Sequence, residues 1–147
     1  MKFSQAQQGR TFILRLEDGE IVHEVIEQFA KDQGIRAAAL VIIGGADDGS
    51  RLVVGPAEDR GLPLNPMKRT LEHVHEVAGT GTIFEDEAGA PLLHVHMACG
   101  RGDGTTVGCI REGVKVWHVM EVVIFELVGA TAKRVLEEPL GLKLLQP

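Results

Sequence analysis

The chain of 147 residues has no tyrosine, a single tryptophan and only two cysteines. Aromatic residues make up 4% of it, which argues against a stacking platform for single-stranded nucleic acid. Cys99 and Cys109 are too few for a disulfide framework in a chain of this size, so two free thiols are expected. No apolar run approaches the length of a membrane span, and the polar N-terminus is unlike a signal peptide. We therefore expect a cytoplasmic protein with no membrane partner.

Basic charge is also scarce. The chain has 15 Lys and Arg against 21 Asp and Glu, a net charge of −6. That sign repels phosphate and disfavours DNA as a partner. The hydrophobic share of 44% and the charged share of 24% are ordinary for a globular protein. The length predicts one domain over residues 1–147.

The pattern predicts one amphipathic helix over residues 20–33, where Ile21, Val25 and Phe29 recur every fourth position. Asp18 is its expected N-cap, and Gly34 suits the left-handed position after its end. Seven strand-like segments follow or precede it: residues 11–16, 37–43, 50–54, 68–84, 92–99, 105–111 and 114–127.

Most of these segments are joined by short turns, which indicates antiparallel neighbours. The predicted fold class is α+β, with a curved, largely antiparallel sheet of about seven strands and one principal helix packed on it. The tail after Gly129 is less patterned, and we expect it to wrap the body or to contact a neighbour.

The pair His94 and His96 is the feature that best indicates chemistry, because residues i and i+2 of a strand face the same side. A hairpin loop centred on residues 101–102 would set Cys109 opposite His94, and one centred on 102–103 would set it opposite His96. An odd loop would turn the thiol away. Two imidazoles and a thiolate suit zinc and leave a position for water. The alternative is that Cys109 is a small buried core residue.

Two further residues are expected near this cluster. A two-residue turn at 112–113 would place His118 diagonal to Cys109, as a fourth ligand, as a support behind the ligands or only as a neighbour. Arg111 is also expected close by, where it would bind an anion or remain a solvated charge.

Other polar groups are weaker candidates. His73 and His75 repeat the spacing of the first pair and would form either a second ligand pair or an exposed strand face. No catalytic residue can be assigned from the sequence, although Glu76 is the best general base by residue type.

The chain resembles the PPC domain (plants and prokaryotes conserved) over about residues 8–128, which leaves 129–147 as a C-terminal tail. The most specific matching segments are residues 91–96 and 107–113; others are 16–20, 26–30, 34–38, 43–46 and 121–124. The resemblance implies an α+β fold and a homotrimer with the long last strands at subunit contacts. Some prokaryotic members resemble metal proteins, with a His-x-His pair and a histidine after Gly-Gly. Cys109 stands at that third position and is still a zinc ligand by type.

Three functions follow as expectations. The first is a trimeric zinc protein that binds or hydrolyses a small molecule. The second is a DNA-binding or regulatory interaction module, although the DNA label of the family belongs with plant AT-hooks, and the segment 100–103 here lacks the Arg-Gly-Arg-Pro of such a hook. The third is a small-ligand sensor without turnover.

Overall fold

The computed structural model describes all 147 residues and contains one α-helix and ten strands. The helix α1 is Val22–Asp32, and a 3₁₀ turn covers Ile110–Glu112. The strands are β1 (Gln7–Glu17), β2 (Ala37–Ala46), β3 (Arg51–Pro56), β4 (Pro66–Thr70), β5 (His75–Glu85), β6 (Pro91–Arg101), β7 (Gly104–Cys109), β8 (Val116–Val128), β9 (Lys133–Glu137) and β10 (Leu142–Gln146).

Eight strands form one antiparallel sheet in the order β1-β8-β2-β5-β6-β7-β3-β4, and β9 and β10 form a separate hairpin. The predicted α+β class, with one helix on a largely antiparallel sheet, is confirmed. The predicted segment 68–84 is two strands, because the chain bends between β4 and β5 around His73, whose φ is +66°. The tail is the β9–β10 hairpin.

The helix packs on one face of the sheet through Val22, Ile26 and Ala30, which are fully buried. Val25 and Phe29, expected at the centre of the apolar stripe, lie at its edge and are only partly buried. The alternation along β2 shows the two faces: Leu40 and Ile42 are buried beneath the helix side, while their neighbours are exposed on the other.

The helix ends differ in how well they were predicted. Gly34 has φ of +65° and closes the C-terminus as expected, with the Ile35 N–H donating to the Ala30 carbonyl at 2.8 Å. The prediction of Asp18 as N-cap is wrong. Its carboxylate instead accepts the backbone N–H of His118 at 2.6 Å, because β8 runs past it as the neighbour of β1.

The expected hairpin between residues 105–111 and 114–127 does not form. After the 3₁₀ turn the chain crosses over, and β8 enters the sheet between β1 and β2, while the free side of β7 pairs with β3 at Val53. Burial explains this path. Val114, Val116, Met120, Val122 and Ile124 are fully buried in the main core, which an edge hairpin would not allow.

The chain has no helix long and apolar enough to cross a membrane, since α1 has 11 residues.

Candidate metal centre

The turn between β6 and β7 decides whether the three predicted ligands meet. Arg101 pairs with Gly104, so the loop centre is Gly102-Asp103, and His96 is then directly opposite Cys109. This is the second of the two registers considered above. Paired residues point to the same side of a sheet, so the thiol joins both imidazoles. One ligand atom each from His94, His96 and Cys109 lies within 4.8 Å of the other two.

The distances fit a tetrahedral ion. The Nε2 atoms of His94 and His96 are 3.2 Å apart, and the rings meet edge to face with centroids at 5.0 Å. Zinc–nitrogen bonds of the usual length place two nitrogens about 3.3 Å apart around a tetrahedral ion, and a nitrogen and a sulfur about 3.6 Å apart. The two nitrogens are therefore at the spacing of a tetrahedral ion, and the Cys109 sulfur lies within 4.8 Å of them.

The electrostatic surroundings keep one ligand in its metal-binding form. Burial, as the largest cause, and the charges of Arg134, His96 and Arg111 together lower the pKa of His94 to about 4. The imidazole is therefore neutral at neutral pH, with a lone pair free for a metal.

The sequence analysis missed Arg134, the residue that approaches this site from the tail. Strand β9 crosses near the end of β5, where Arg134 makes an isolated bridge with Asp86. The side chain of Arg134 is 6% exposed; one terminal nitrogen donates to Thr82 Oγ1 at 2.9 Å and lies 3.4 Å from Nδ1 of His94. The only sequence pattern that indicates the hairpin carrying Arg134 is the weak alternation of two short segments around a Pro-Leu-Gly turn.

Glu27 was also missed. From the helix, its carboxylate accepts the backbone N–H of Leu93 at 2.8 Å, one residue before the first ligand. The same oxygen lies 3.5 Å from Arg111. Glu27 therefore ties the helix to the ligand-bearing strand and to the residue that follows Cys109 by two positions.

Of the two predicted neighbours, Arg111 is near the site and His118 is not, and the candidate base Glu76 is also distant. Arg111 lies near the site, since its charge acts on His94. The placement of His118 beside Cys109 is wrong, because β2, β5 and β6 lie between their strands and its ring packs on Trp117 at 4.4 Å. Glu76 is four residues along β5 from the position facing His96, about 13 Å at the usual rise.

The second histidine pair forms no site. His73 lies before β5 in the left-handed conformation, and Nδ1 of His75 contacts the carbonyl of His73 at 3.0 Å. The only group of three or more metal-ligating side chains in the molecule is the one on β6 and β7.

The site lies on the sheet face opposite the helix, at the end of an apolar band. Register places His96 in one row with Thr80, Val41, Val123 and Ile13, across β5, β2, β8 and β1. Ile13 is 84% exposed and Val41 is 47% exposed. The chain therefore leaves a large apolar surface uncovered beside the candidate ligands.

Comparison with known proteins gives one family. Residues 3–128 match the Plants and Prokaryotes Conserved (PCC) domain, the same family as the PPC domain above. A search of curated proteins gives no match.

Solved structures are similar over the whole chain. A metal-containing protein from Archaeoglobus fulgidus has a TM-score of 0.86 at 25% identity, with 100% of both chains covered. A plant- and prokaryote-conserved protein from Pyrococcus horikoshii has a TM-score of 0.84 at 25% identity, covering 100% of this chain and 98% of that one. A protein from Ralstonia eutropha, provisionally described as DNA-binding, has a TM-score of 0.69 at 22% identity over 92% and 90% of the chains, and shows the fold alone.

Proposed function

The chain belongs to the Plants and Prokaryotes Conserved domain family, and we propose that it is a zinc-binding member whose metal site holds a small molecule. The carrying observation is the convergence of His94, His96 and Cys109 in one sheet register. Nitrogen and sulfur donors in this number favour zinc and leave a fourth position for a ligand. The metal-containing relative from Archaeoglobus fulgidus supports this assignment at the level of the family.

Zinc, when bound, would lower the pKa of a coordinated water and polarise a carbonyl or phosphoryl oxygen. The residues of this chain hold His94 neutral, fix the start of β6 through Glu27 and place Arg134 beside the ligands. Zinc-assisted hydrolysis or a lyase step would be the natural reaction class. None of the described carboxylates reaches the ligand cluster as a general base, so the geometry supports binding more directly than turnover.

A groove beside the site has the size of a small-molecule pocket. Its volume is about 580 Å³, and it lies between the β3–β4 region and the turn of the β9–β10 hairpin. Its lining includes Val53, the Cα partner of Cys109 in the neighbouring strand. None of His94, His96 and Cys109 lines the groove, so it is a neighbouring space one strand away from Cys109.

A homotrimer is the second part of the proposal. The resemblance to the family implies it, and the uncovered apolar band supports it, because Ile13, Val41 and Ile43 are 84%, 47% and 55% exposed. Such a band is covered by further copies in symmetric oligomers. We expect sedimentation or light scattering to give a trimer, and Ile13→Glu to shift the mass toward the monomer. A monomeric wild type would contradict this part.

Metal content of untagged protein tests the zinc site. We expect about one zinc per chain in the wild type and none in Cys109→Ala. The matched control is Cys99→Ala, which removes the other thiol, buried in the core, and should retain the metal. Cobalt substitution adds a sulfur-to-metal absorption band that only the Cys109 thiolate supplies. No metal in the wild type, even after zinc is offered, would overturn the proposal.

A DNA partner is the second candidate, favoured by the provisional description of the Ralstonia eutropha and Bacteroides thetaiotaomicron structures. The net charge of −6 opposes it. Retention on duplex DNA at low salt, lost steeply as salt rises, would support it. No retention at the lowest salt would exclude it.

A further inference from the structure

Arg134 is a buried cation that forms no salt bridge with a carboxylate. Its side chain is 6% exposed, its Nε–H has no hydrogen-bond acceptor, and none of the salt bridges of the chain includes it. A guanidinium stays protonated in proteins, so its burial without a counter-charge is costly. A fold that keeps such a group in place indicates that something negative meets it.

The carboxylates of Asp86 and Glu27 have other partners. Asp86, which bridges to the backbone of Arg134, accepts the Lys143 ammonium at 2.7 Å and two backbone N–H groups of its own turn. Glu27 accepts the Leu93 N–H and lies against Arg111. The counter-charge is therefore not supplied by these side chains.

Thr82 and His94 both lie against one terminal nitrogen of Arg134. With Nε2 of His94 turned toward the metal position, its Nδ1 carries the hydrogen and is a donor. The atom 3.4 Å away is a guanidinium nitrogen of Arg134, which can only donate. The Thr82 hydroxyl accepts from that nitrogen at 2.9 Å and has its own hydrogen left to donate. In the zinc-bound tautomer these three neighbouring groups all have hydrogens to donate, and the Nε–H of Arg134 has no acceptor in the protein.

We propose that Arg134, Thr82 and His94 form a subsite for one oxyanion group, a carboxylate or a phosphate, of the small molecule held beside the zinc site. Arg111, two residues after Cys109, adds positive charge that acts on the same histidine. The inference rests on the proposed function for the metal, because Nδ1 of His94 carries the hydrogen only when Nε2 binds the ion. Arg134 and Thr82 keep hydrogens to donate to an anion without it. The subsite makes the tail hairpin, outside the residues that match the family, the element that selects the ligand.

Nitrogen-15 NMR of the Arg134 Nε–H in the full chain tests the subsite directly, because this group has no acceptor in the protein. Metal-free and zinc-loaded samples would each be titrated with inorganic phosphate and, separately, with acetate. We expect a saturable shift of the Nε–H resonance with at least one anion. The anion that gives the tighter saturation tells whether the natural group is a phosphate or a carboxylate.

Calorimetry with the same anion provides the second readout. Arg134→Gln should weaken binding on the order of tenfold, Arg134→Lys should weaken it less, and Arg69→Gln, an exposed arginine on β4, should leave it unchanged. If Arg134→Gln does not fold, the resonance in the wild type decides alone.

The outcomes separate this inference from the zinc proposal. Suppose that the protein binds zinc but neither anion moves the Nε–H resonance, with or without the metal. That result overturns the anion subsite and leaves the zinc site standing. A carboxylate from a second copy that already occupies the place would give the same unmoved resonance. A saturable shift without zinc binding supports the subsite and overturns only the metal assignment.

Discussion

Two histidine pairs have identical spacing in the sequence, but only one of them joins a cluster of potential metal ligands. His94 and His96 lie within the regular strand β6, with β5 on one side and β7 on the other. His73 and His75 lie at the entrance of β5, where His73 has φ of +66° and falls outside the strand. The rule that residues i and i+2 share a face requires extended backbone at both positions, and only the first pair meets it.

The supply of a third ligand separates the pairs further. The even turn of the β6–β7 hairpin sets Cys109 opposite His96. At the other pair, His73 is held by its backbone N–H, which donates to the Asp48 carboxylate, and His75 contacts the preceding carbonyl. Spacing along the chain is thus weak information about a metal site until the neighbouring strand is known.

The largest expected effect removes one histidine from each pair. His96→Ala takes away a ligand, and we expect zinc affinity to fall by a factor on the order of 100 or more, since even the loss of a supporting residue behind a ligand costs about 10–100-fold. His75→Ala is the matched control and should bind zinc like the wild type. Competition with a chromophoric chelator measures both. Equal losses in the two variants would contradict the assignment.

A smaller effect is expected from changes of ligand type at position 109. Cys109→His should retain zinc to within about tenfold of the wild type, because imidazole is also a zinc ligand and the position is only partly buried. Cys109→Ser should bind more weakly than Cys109→His, since a hydroxyl is a poor zinc ligand. Cobalt spectra should show no sulfur band in either. Zinc binding unaffected by serine would mean that Cys109 is not a ligand.

The sequence supports the site better than its surroundings for a physical reason. The convergence of His94, His96 and Cys109 depends on strand alternation and on the parity of one short turn, both of which are local. His118 was misplaced because the choice between a hairpin and a crossover after the 3₁₀ turn depends on what β8 buries, a property of the whole core. Arg134 was missed because its contacts to Thr82 and His94 join residues 52 and 40 positions apart.

The overall fold follows the same division. The α+β class and the Gly34 helix end come from periodicity and from a local backbone requirement. Whether Asp18 could cap the helix depended on which strand would lie beside it. In the structure its carboxylate accepts the backbone N–H of His118 on β8. Patterns within one element or across one tight turn were therefore informative, and pairings between distant segments were not.

The pH dependence of the first pair gives a finer test. In the metal-free protein the His94 pKa of about 4 lies below the unfolded value of 6.5, so the unfolded chain binds more protons between these pH values. This group therefore contributes a loss of folding stability as pH falls from 6.5 through 4, and none above. Arg134→Gln removes one cause and should raise the pKa, while burial, the larger cause, still keeps it below 6.5. Histidine ring NMR follows both.

The opposite result would be informative in the same experiment. A His94 ring that titrates near its ordinary value in metal-free wild type would mean that Arg134 and the surrounding burial do not act on it. If the His94 pKa is unchanged in Arg134→Gln, the tail hairpin does not influence the site.

The smallest expected effect concerns the left-handed backbone at His73, which keeps His73 and His75 from sharing one strand face. His73 adopts a left-handed conformation that costs most residues about 1–2 kcal/mol, whereas glycine adopts it freely. His73→Gly should therefore raise the stability of the fold, by about 0.5 kcal/mol once the greater freedom of glycine in the unfolded chain is subtracted, and leave zinc content unchanged. Thermal unfolding of metal-free protein measures this. The same substitution at His94, which lies in extended backbone, should lower both the stability of the fold and zinc binding. Glycine at the two positions therefore distinguishes a histidine in a strained turn from one that binds the metal.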